Sequence, residues 1–248
     1  MTLEQFFLEN PKVAIAFSGG VDSAFLLYAA KRWGADAKAY YVNSAFQPRF
    51  EQDDARRLAD ELGVELEILP ADVLSCPDIA QNPANRCYFC KKTLFSAMMD
   101  AAQRDGFPVL LDGTNASDDA ADRPGMQALR ELQVRSPLRE CGLTKTVIRE
   151  LSREAGLFTH DKPAYACLAT RIPAGEPITA EKLAKTERAE AFLTSLGFRD
   201  FRVRMQNGGA KLQVTARDLS LLLEHRERIL MELNKDYGSV VLDLEVRV

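Results

Sequence analysis

The chain has 248 residues, of which 46% are apolar, and a formal net charge of −4. That length holds one α/β domain of ordinary size with a smaller appendage, and no apolar run approaches the roughly 18 residues of a membrane span. The acidic balance offers no global attraction to nucleic acid, and Met1-Thr2-Leu3-Glu4-Gln5 lacks the basic and apolar stretches of a secretory leader, so a cytoplasmic protein without membrane attachment is expected.

A short helix is expected within residues 1–11, ending near Asn10-Pro11. An apolar strand at 13–17 leads into the turn Ser18-Gly19-Gly20-Val21-Asp22-Ser23, and a helix continues to about Trp33. Strands follow at 37–42 and 64–69, separated by a charged amphipathic helix at 50–62 that Gly63 stops. Residues 74–85 read as a loop, and a helix opens at Asn85-Arg86-Cys87 and runs to about Arg104. A short buried strand at 109–111 ends in Asp112-Gly113-Thr114-Asn115. A helix at 125–133, an extended segment at 135–138 and a helix at 145–154 headed by Thr144 complete an alternating pattern that implies a parallel sheet. Residues 162–177 are irregular and proline-rich. Beyond them come a helix at 180–195, a hairpin formed by 201–205 and 211–214, a helix at 218–233 and a strand at 240–246. The fold class is therefore α/β, a parallel-sheet domain over 1–176 followed by a small α+β domain over 177–248.

The turn at 18–23 carries the clearest chemistry. Gly19 and Gly20 allow a sharp turn and leave backbone N–H groups open to a ligand. With the Ser18 and Ser23 hydroxyls and the positive end of the helix, they suit a phosphate or pyrophosphate. The spacing is not that of the Walker motif and no lysine follows Gly20; nor is it G-x-G-x-x-G. It resembles the PP-loop of ATP pyrophosphatases, which cleave ATP between the α and β phosphates and adenylate a substrate. A serine-capped glycine turn is the plain structural alternative.

Asp112, Thr114 and Asn115 sit at the carboxyl end of an expected parallel strand, where ligands of open α/β sheets bind. Asp118 and Asp119 follow, and with Asp22 they could hold Mg²⁺ on a triphosphate; turn geometry alone would also select Asp and Asn there. Five cysteines cluster instead of scattering. Cys87 and Cys90, three apart on a helix, share a face and could meet one metal. Cys167 is the obvious third ligand, with Cys141 and Cys76 as possible fourths, since structural zinc takes four ligands and a cubane cluster three or four thiolates. Burial as small apolar side chains is the bland reading. Arg171 follows Cys167 by four residues and suits either thiolate stabilisation or an anionic substrate group. Arg202 and Arg204 alternate on one strand face near Arg199 and Lys211, as an anion site or as a solvated face.

In order along the chain, S-G-G-V-D-S, N-R-C-Y-F-C-K, D-G-T-N-A-S-D and K-P-A-Y-A-C-L-A-T-R-I-P closely resemble the LarE family of ATP-dependent sulfur transferases. The resemblance spans residues 12–178, and the remainder is compatible in size. It implies maturation of the nickel-pincer cofactor of lactate racemase: ATP adenylates the carboxylates of pyridinium-3,5-biscarboxylic acid mononucleotide, and sulfur converts them to thiocarboxylates. It implies that Ser18, Gly19, Gly20, Val21, Asp22 and Ser23 bind pyrophosphate, with Asp22, Cys167 and Arg171 in catalysis. Arg171, Arg202, Arg204 and Glu190 would meet the substrate; Glu190 and Asp218 loosely match positions tied to metal or catalysis. Single-cysteine members sacrifice the sulfur of the residue matching Cys167. The added Cys87 and Cys90 resemble the three-cysteine branch, implying a [4Fe-4S] cluster on Cys87, Cys90 and Cys167 with one iron open to an extra sulfide. A homo-oligomer, a hexamer built from trimers, with substrate and subunit contacts in the C-terminal domain, is implied as well. Rival readings are a tRNA thiolase of the same superfamily, an ATP-dependent amide synthetase and a nucleotide-binding module without turnover.

Overall fold

The computed structural model describes residues 1–118 and 124–247. Asp119 lies outside these residues. The chain forms two compact units, one of Met1–Val73 with Asn85–Lys162, the other of Leu74–Ala84 with Pro163–Val248.

The first unit is built on a parallel sheet. Its strands are β1 (Lys12–Ala16), β2 (Asp36–Asn43), β3 (Leu66–Pro70) and β4 (Leu110–Leu111), in the spatial order β3-β2-β1-β4. All pairings are parallel, with Ile15 beside Ala39 on one flank and Leu111 on the other. Side chains alternate across a strand. Val13 and Ile15 join the core with α1 (Leu3–Glu9) and α2 (Val21–Arg32), whereas Ala14 and Tyr40 face Met98, Ala101 and Ala102. The sheet is thus covered on both faces, which is why β1 reads as a continuous apolar run.

Local chemistry sets the helix ends. A reciprocal capping box of Thr2 and Gln5 starts α1. Lys31 and Arg32 close α2, where the helix dipole favours cations. The helix α3 (Arg49–Leu62) stops at Gly63, which takes the left-handed conformation with φ 61°. After α4 (Pro77–Ala80), which belongs to the second unit, the first unit continues with α5 (Arg86–Arg104), α6 (Pro124–Glu131), α7 (Pro137–Glu140) and α8 (Lys145–Glu154).

The strand order places the site. The chain builds β2 and β3 on one side of β1 and then returns to its other side for β4. The reversal between β1 and β4 is a topological switch point, and the crevice beyond the carboxyl ends there is where such sheets bind ligands. Residues 18–23 follow β1 and Asp112 follows β4, so both meet that crevice.

The second unit contains α9 (Ala180–Ser195), β5 (Phe201–Gln206), β6 (Gly209–Val214), α10 (Leu219–Glu224), α11 (Arg226–Leu233) and β7 (Val240–Leu242). β5 and β6 form the expected antiparallel hairpin, and β7 joins β6 in parallel. Leu193, Phe198, Val203, Leu212, Ile229 and Leu233 make its core.

The boundary differs from the one expected at 176/177. The second unit begins at Pro163 and takes in Leu74–Ala84. That segment is held by its later partners: the Asn82 amide donates to Pro173 O at 2.8 Å and Ile172 O at 3.3 Å, and the Ile178 N–H donates to Ala80 O at 2.7 Å. Part of the expected loop at 74–85 is the helix α4, with Pro77 at a first-turn position that needs no N–H donor. The same holds for Pro137, which turns the expected extended segment into α7 after a single bridge between Leu111 and Arg135. The helix expected over 218–233 divides at His225, whose ψ of 9° is not helical. The last strand ends at Leu242, and Arg247 contributes only one bridge, to Thr215. Among the described residues no helix is long and apolar enough to cross a membrane.

Candidate active site

The turn after β1 is shaped by close backbone packing. Gly19 has φ +69°, and a Cβ there would sit 3.1 Å from Glu51 O and 3.2 Å from Ala55 N of α3. Only glycine meets both conditions without strain. Gly20 is the N-cap of α2, and Val21 is buried behind it. The Ser18 and Ser23 hydroxyls lie 3.1 Å apart, and Ser23 Oγ donates to Gly20 O at 3.2 Å. Hydroxyls and the free N–H groups of the first helical turn therefore converge on one spot, an arrangement suited to an anion.

The loop after β4 forms the second wall. A Cβ on Gly113 would come within 2.9 Å of the Ser23 backbone nitrogen, so this loop presses on the first turn of α2. Asp112 is buried and accepts from Ser136 Oγ at 2.6 Å and Thr114 Oγ1 at 2.5 Å. Its carboxylate fixes the loop. The Asn115 amide reaches Asp22 Oδ1 at 3.4 Å, and the Asn115 N–H donates to Asp118 Oδ2 at 2.9 Å. Asp22, Asp112, Thr114, Asn115 and residues 18–23 are thus brought together.

Two lysines, given no role from the sequence, complete this site. Lys145 Nζ donates to Asp22 Oδ2 at 2.5 Å. Lys162 Nζ donates to Gly19 O at 3.2 Å and to Asp54 Oδ2 at 2.6 Å. Burial pushes the Asp22 carboxyl up, Lys145 opposes that push, and Asp118 adds to it. Lys145 left a readable signal. It is the first residue of α8, after the Thr144 N-cap, where the helix dipole disfavours a cation.

The cysteines divide between the units. Cys87 and Cys90 sit on the first turns of α5, Cys87 exposed and Cys90 buried. The Arg86 guanidinium donates to Cys90 Sγ at 3.7 Å and stacks on the Phe46 ring, 5.5 Å from its centroid. Cys167 belongs to the second unit, half-buried, just before a 3-10 turn at Leu168–Arg171. Cys141 is a half-buried thiol that burial pushes up, and Cys76 is the N-cap of α4. Within neither unit do three His, Cys, Asp or Glu side chains converge on a metal position among the described residues.

In the second unit Glu190 gathers the expected arginines. Arg171, only 1% exposed, donates from Nε and Nη2 to Glu190 at 2.7 and 3.1 Å, and from Nη1 to Thr170 Oγ1 at 2.7 Å. Glu190 also accepts from the Val203 N–H at 3.0 Å. Arg171 and Glu190 therefore form a buried, bidentate internal pair. Arg202 donates to Phe201 O at 2.5 Å and Arg204 to Thr170 O at 3.0 Å. Burial, with the like charges of Arg171 and Arg247, pulls the Arg202 guanidinium down to about 10, and the same causes lower Arg204. Asp200 serves both Arg202, at 3.6 Å, and Arg247, at 2.7 Å. Asp218 lies apart, accepting from Thr215 Oγ1 at 2.8 Å.

A glycine-serine turn at the switch point of a doubly covered parallel sheet, flanked by lysines, defines a nucleotide-binding domain of the PP-loop ATP-pyrophosphatase class. The asparagine synthase family profile matches residues 7–141. The chain is 34% identical over 246 residues to the pyridinium-3,5-bisthiocarboxylic acid mononucleotide synthase of Lactiplantibacillus plantarum, covering 98% of this chain and 89% of that protein. An uncharacterised protein of Synechocystis is 36% identical over 247 residues, 98% of this chain and 92% of its own length. A tRNA-specific 2-thiouridylase of Clostridium botulinum is 28% identical over 182 residues, 60% of this chain and 52% of that enzyme. The chain belongs to the LarE family of PP-loop sulfur transferases.

Proposed function

We propose that the protein is a cytoplasmic, ATP-dependent sulfur transferase that adenylates the carboxylates of pyridinium-3,5-biscarboxylic acid mononucleotide and converts them to thiocarboxylates. The observation that carries this reading is that the likeness to the L. plantarum synthase runs through both units, so it includes the Cys167 loop as well as the nucleotide turn. The partial likeness to a thiouridylase favours sulfur transfer over amide formation.

In this reading residues 18–23 cradle the β and γ phosphates of ATP, and Lys145 and Lys162 add positive charge beside them. Mg²⁺ bound mainly through phosphate oxygens needs one or two protein carboxylates; Asp22 is the one that adjoins the turn. A substrate carboxylate oxygen attacks the α-phosphorus, the bond to the bridging oxygen breaks, and pyrophosphate leaves. The charge that builds on the leaving group is where fixed N–H groups and ammonium groups lower the barrier. A sulfur nucleophile then attacks the acyl carbon and AMP departs. Arg202, which is buried, and Arg204, which is half-buried, are assigned to the substrate phosphate, since burial and like charge lower both guanidiniums. Arg171 and Glu190 act from behind, as the pair that holds their surroundings.

The donor chemistry of Cys87, Cys90 and Cys167 fits a [4Fe-4S] cluster, because three thiolates hold three irons. Such a cluster, when bound, supplies an open iron at which an extra sulfide can be presented. A homo-oligomer, hexameric by the family resemblance, is proposed; Leu223, Met231 and Leu244 of the second unit are exposed large apolar side chains.

The test is anaerobic reconstitution followed by iron and acid-labile sulfide analysis, beside pyrophosphate release with the dicarboxylate mononucleotide. Substrate-dependent pyrophosphate and about four irons per chain, lost in Cys87→Ala, Cys90→Ala and Cys167→Ala, are expected. Pyrophosphate release without specific iron, and loss of H₂S from Cys167 after turnover, would make Cys167 the sulfur donor. No substrate-dependent pyrophosphate would overturn the reading.

A further inference from the structure

We propose that Tyr165 is the positioning residue for Cys167, fixing the backbone that carries its thiol. The inference rests on the reading of Cys167 as the residue that handles sulfur. Tyr165 lies two residues before Cys167, in a stretch without strand or α-helix pairing. Its hydroxyl donates to Glu190 Oε2 at 2.5 Å. Its ring lies against two guanidiniums, with Arg171 at 4.7 Å and Arg202 at 5.2 Å from the centroid.

The same two cations grip the peptide groups on either side of Tyr165. Arg202 Nη2 donates to Ala164 O, and Arg171 Nη1 donates to Ala166 O at 3.1 Å. On the far side of Cys167, Arg204 Nη1 donates to Thr170 O at 3.0 Å, and Thr170 Oγ1 donates to Cys167 O at 2.8 Å. Carbonyls at 164, 166, 167 and 170 are therefore all bonded by side chains, and Cys167 O also accepts from the Thr170 N–H at 3.0 Å in the 3-10 turn.

Tyrosine suits this place for two reasons. An aromatic face attracts cations that would otherwise only repel one another. The phenol O–H then ties the ring to Glu190, the carboxylate that also holds Arg171 and the Val203 N–H. Removing the ring leaves two crowded guanidiniums without their shared partner, and their hold on the carbonyls of Ala164 and Ala166 weakens.

Hydrogen exchange on the intact protein tests this, comparing wild type, Tyr165→Leu and Tyr165→Phe. In Tyr165→Leu the amides of residues 166–170 should exchange about tenfold faster or more, a local opening that leaves the β5–β6 hairpin protected. Alkylation of Cys167 by iodoacetamide at one fixed pH, read by peptide mass, should rise several-fold, about the size of the opening. Tyr165→Phe keeps the ring and should fall between wild type and Tyr165→Leu in both readouts. In turnover, kcat for thiocarboxylate formation should drop about tenfold or more while KM for ATP stays within about twofold, because a misplaced nucleophile slows the chemical step. If Tyr165→Leu exchanges faster everywhere, Tyr165→Phe decides: faster exchange confined to 166–170 supports the proposal. Wild-type exchange and alkylation at this loop in both variants would overturn it. Should the wild type make no thiocarboxylate, the sulfur-transfer reading falls, while exchange and alkylation still decide whether Tyr165 holds the loop.

Discussion

The nucleotide turn and the Cys167 loop solve the same problem by opposite means. Each must hold irregular backbone in one conformation. At residues 18–23 backbone conformation leads: Gly19 takes a left-handed angle against α3 and the turn runs straight into α2, with Ser23 and Lys162 bonding the carbonyls of Gly20 and Gly19. At residues 164–171 the carbonyls are held largely by side chains, by Arg171 and Thr170 of the loop itself and by Arg202 and Arg204 of β5, with Glu190 behind Arg171. The first design exposes N–H groups and so invites an anion. The second occupies the carbonyls around a half-buried thiol.

The largest way to break this contrast is at Glu190. Glu190→Ala leaves the Arg171 guanidinium buried without its partner, an uncompensated charge that costs about 3–5 kcal/mol. A fall of that size in urea-unfolding stability is expected, and a loss below about 1 kcal/mol would refute the role of the pair. On the nucleotide side, Lys145→Met or Lys162→Met should lower the rate of pyrophosphate release about 10²-fold, the typical effect of removing one transition-state donor. Single-turnover assays at saturating ATP would show this, and an unchanged rate would reduce both lysines to loop anchors.

Smaller effects sharpen the comparison. Gly113→Ala puts a Cβ 2.9 Å from the Ser23 nitrogen, so the two walls of the nucleotide site must part. A loss of about 1–3 kcal/mol of ATP affinity is expected from strain of this kind, read by calorimetry, with Cys167 alkylation unchanged. The smallest effect tests an ion-paired carboxylate of the first unit. Hydrogen bonds from Lys38 and Tyr40 hold the Asp105 carboxyl below its usual range. That stabilisation is complete above the ordinary carboxylate value near about 4 and is lost as pH falls below it. Unfolding midpoints measured from neutral to acid pH should therefore decline less steeply in Asp105→Asn than in wild type.

The same contrast explains what the sequence disclosed. Ser18, Gly20 and Ser23 act on neighbours within a few positions, so their pattern is local and legible, as is the left-handed turn at Gly19, though not its packing on α3. Asp112, Thr114 and Asn115 were legible for a similar reason, as the end of a short apolar strand. Lys162 reaches Gly19 across 143 positions and Lys145 reaches Asp22 across 123, distances at which residue type alone says nothing. Arg171 read as a thiolate partner or an anion ligand, and Arg202 and Arg204 as an anion site or a solvated face; that Arg171 pairs with Glu190 and grips its own loop depends on how α9 packs. The division into two units differs from the expected boundary for the same reason, because Leu74–Ala84 is bonded to partners 90 positions away.

That detached segment bears on synthesis. Asn82 leaves the ribosome 90 residues before Ile172, its hydrogen-bond partner. At about 5–20 residues per second, roughly 5–20 s pass in between. Throughout that interval the segment that carries Ile79, fully buried in the finished protein, lacks the hydrogen-bond partners it has there. The first unit can close around its sheet while one strap of chain stays outside, waiting for the second unit to be made. A fragment that stops near residue 162 carries the whole nucleotide site and also an orphaned apolar strap, so its tendency to aggregate would report on that strap and not on the sheet.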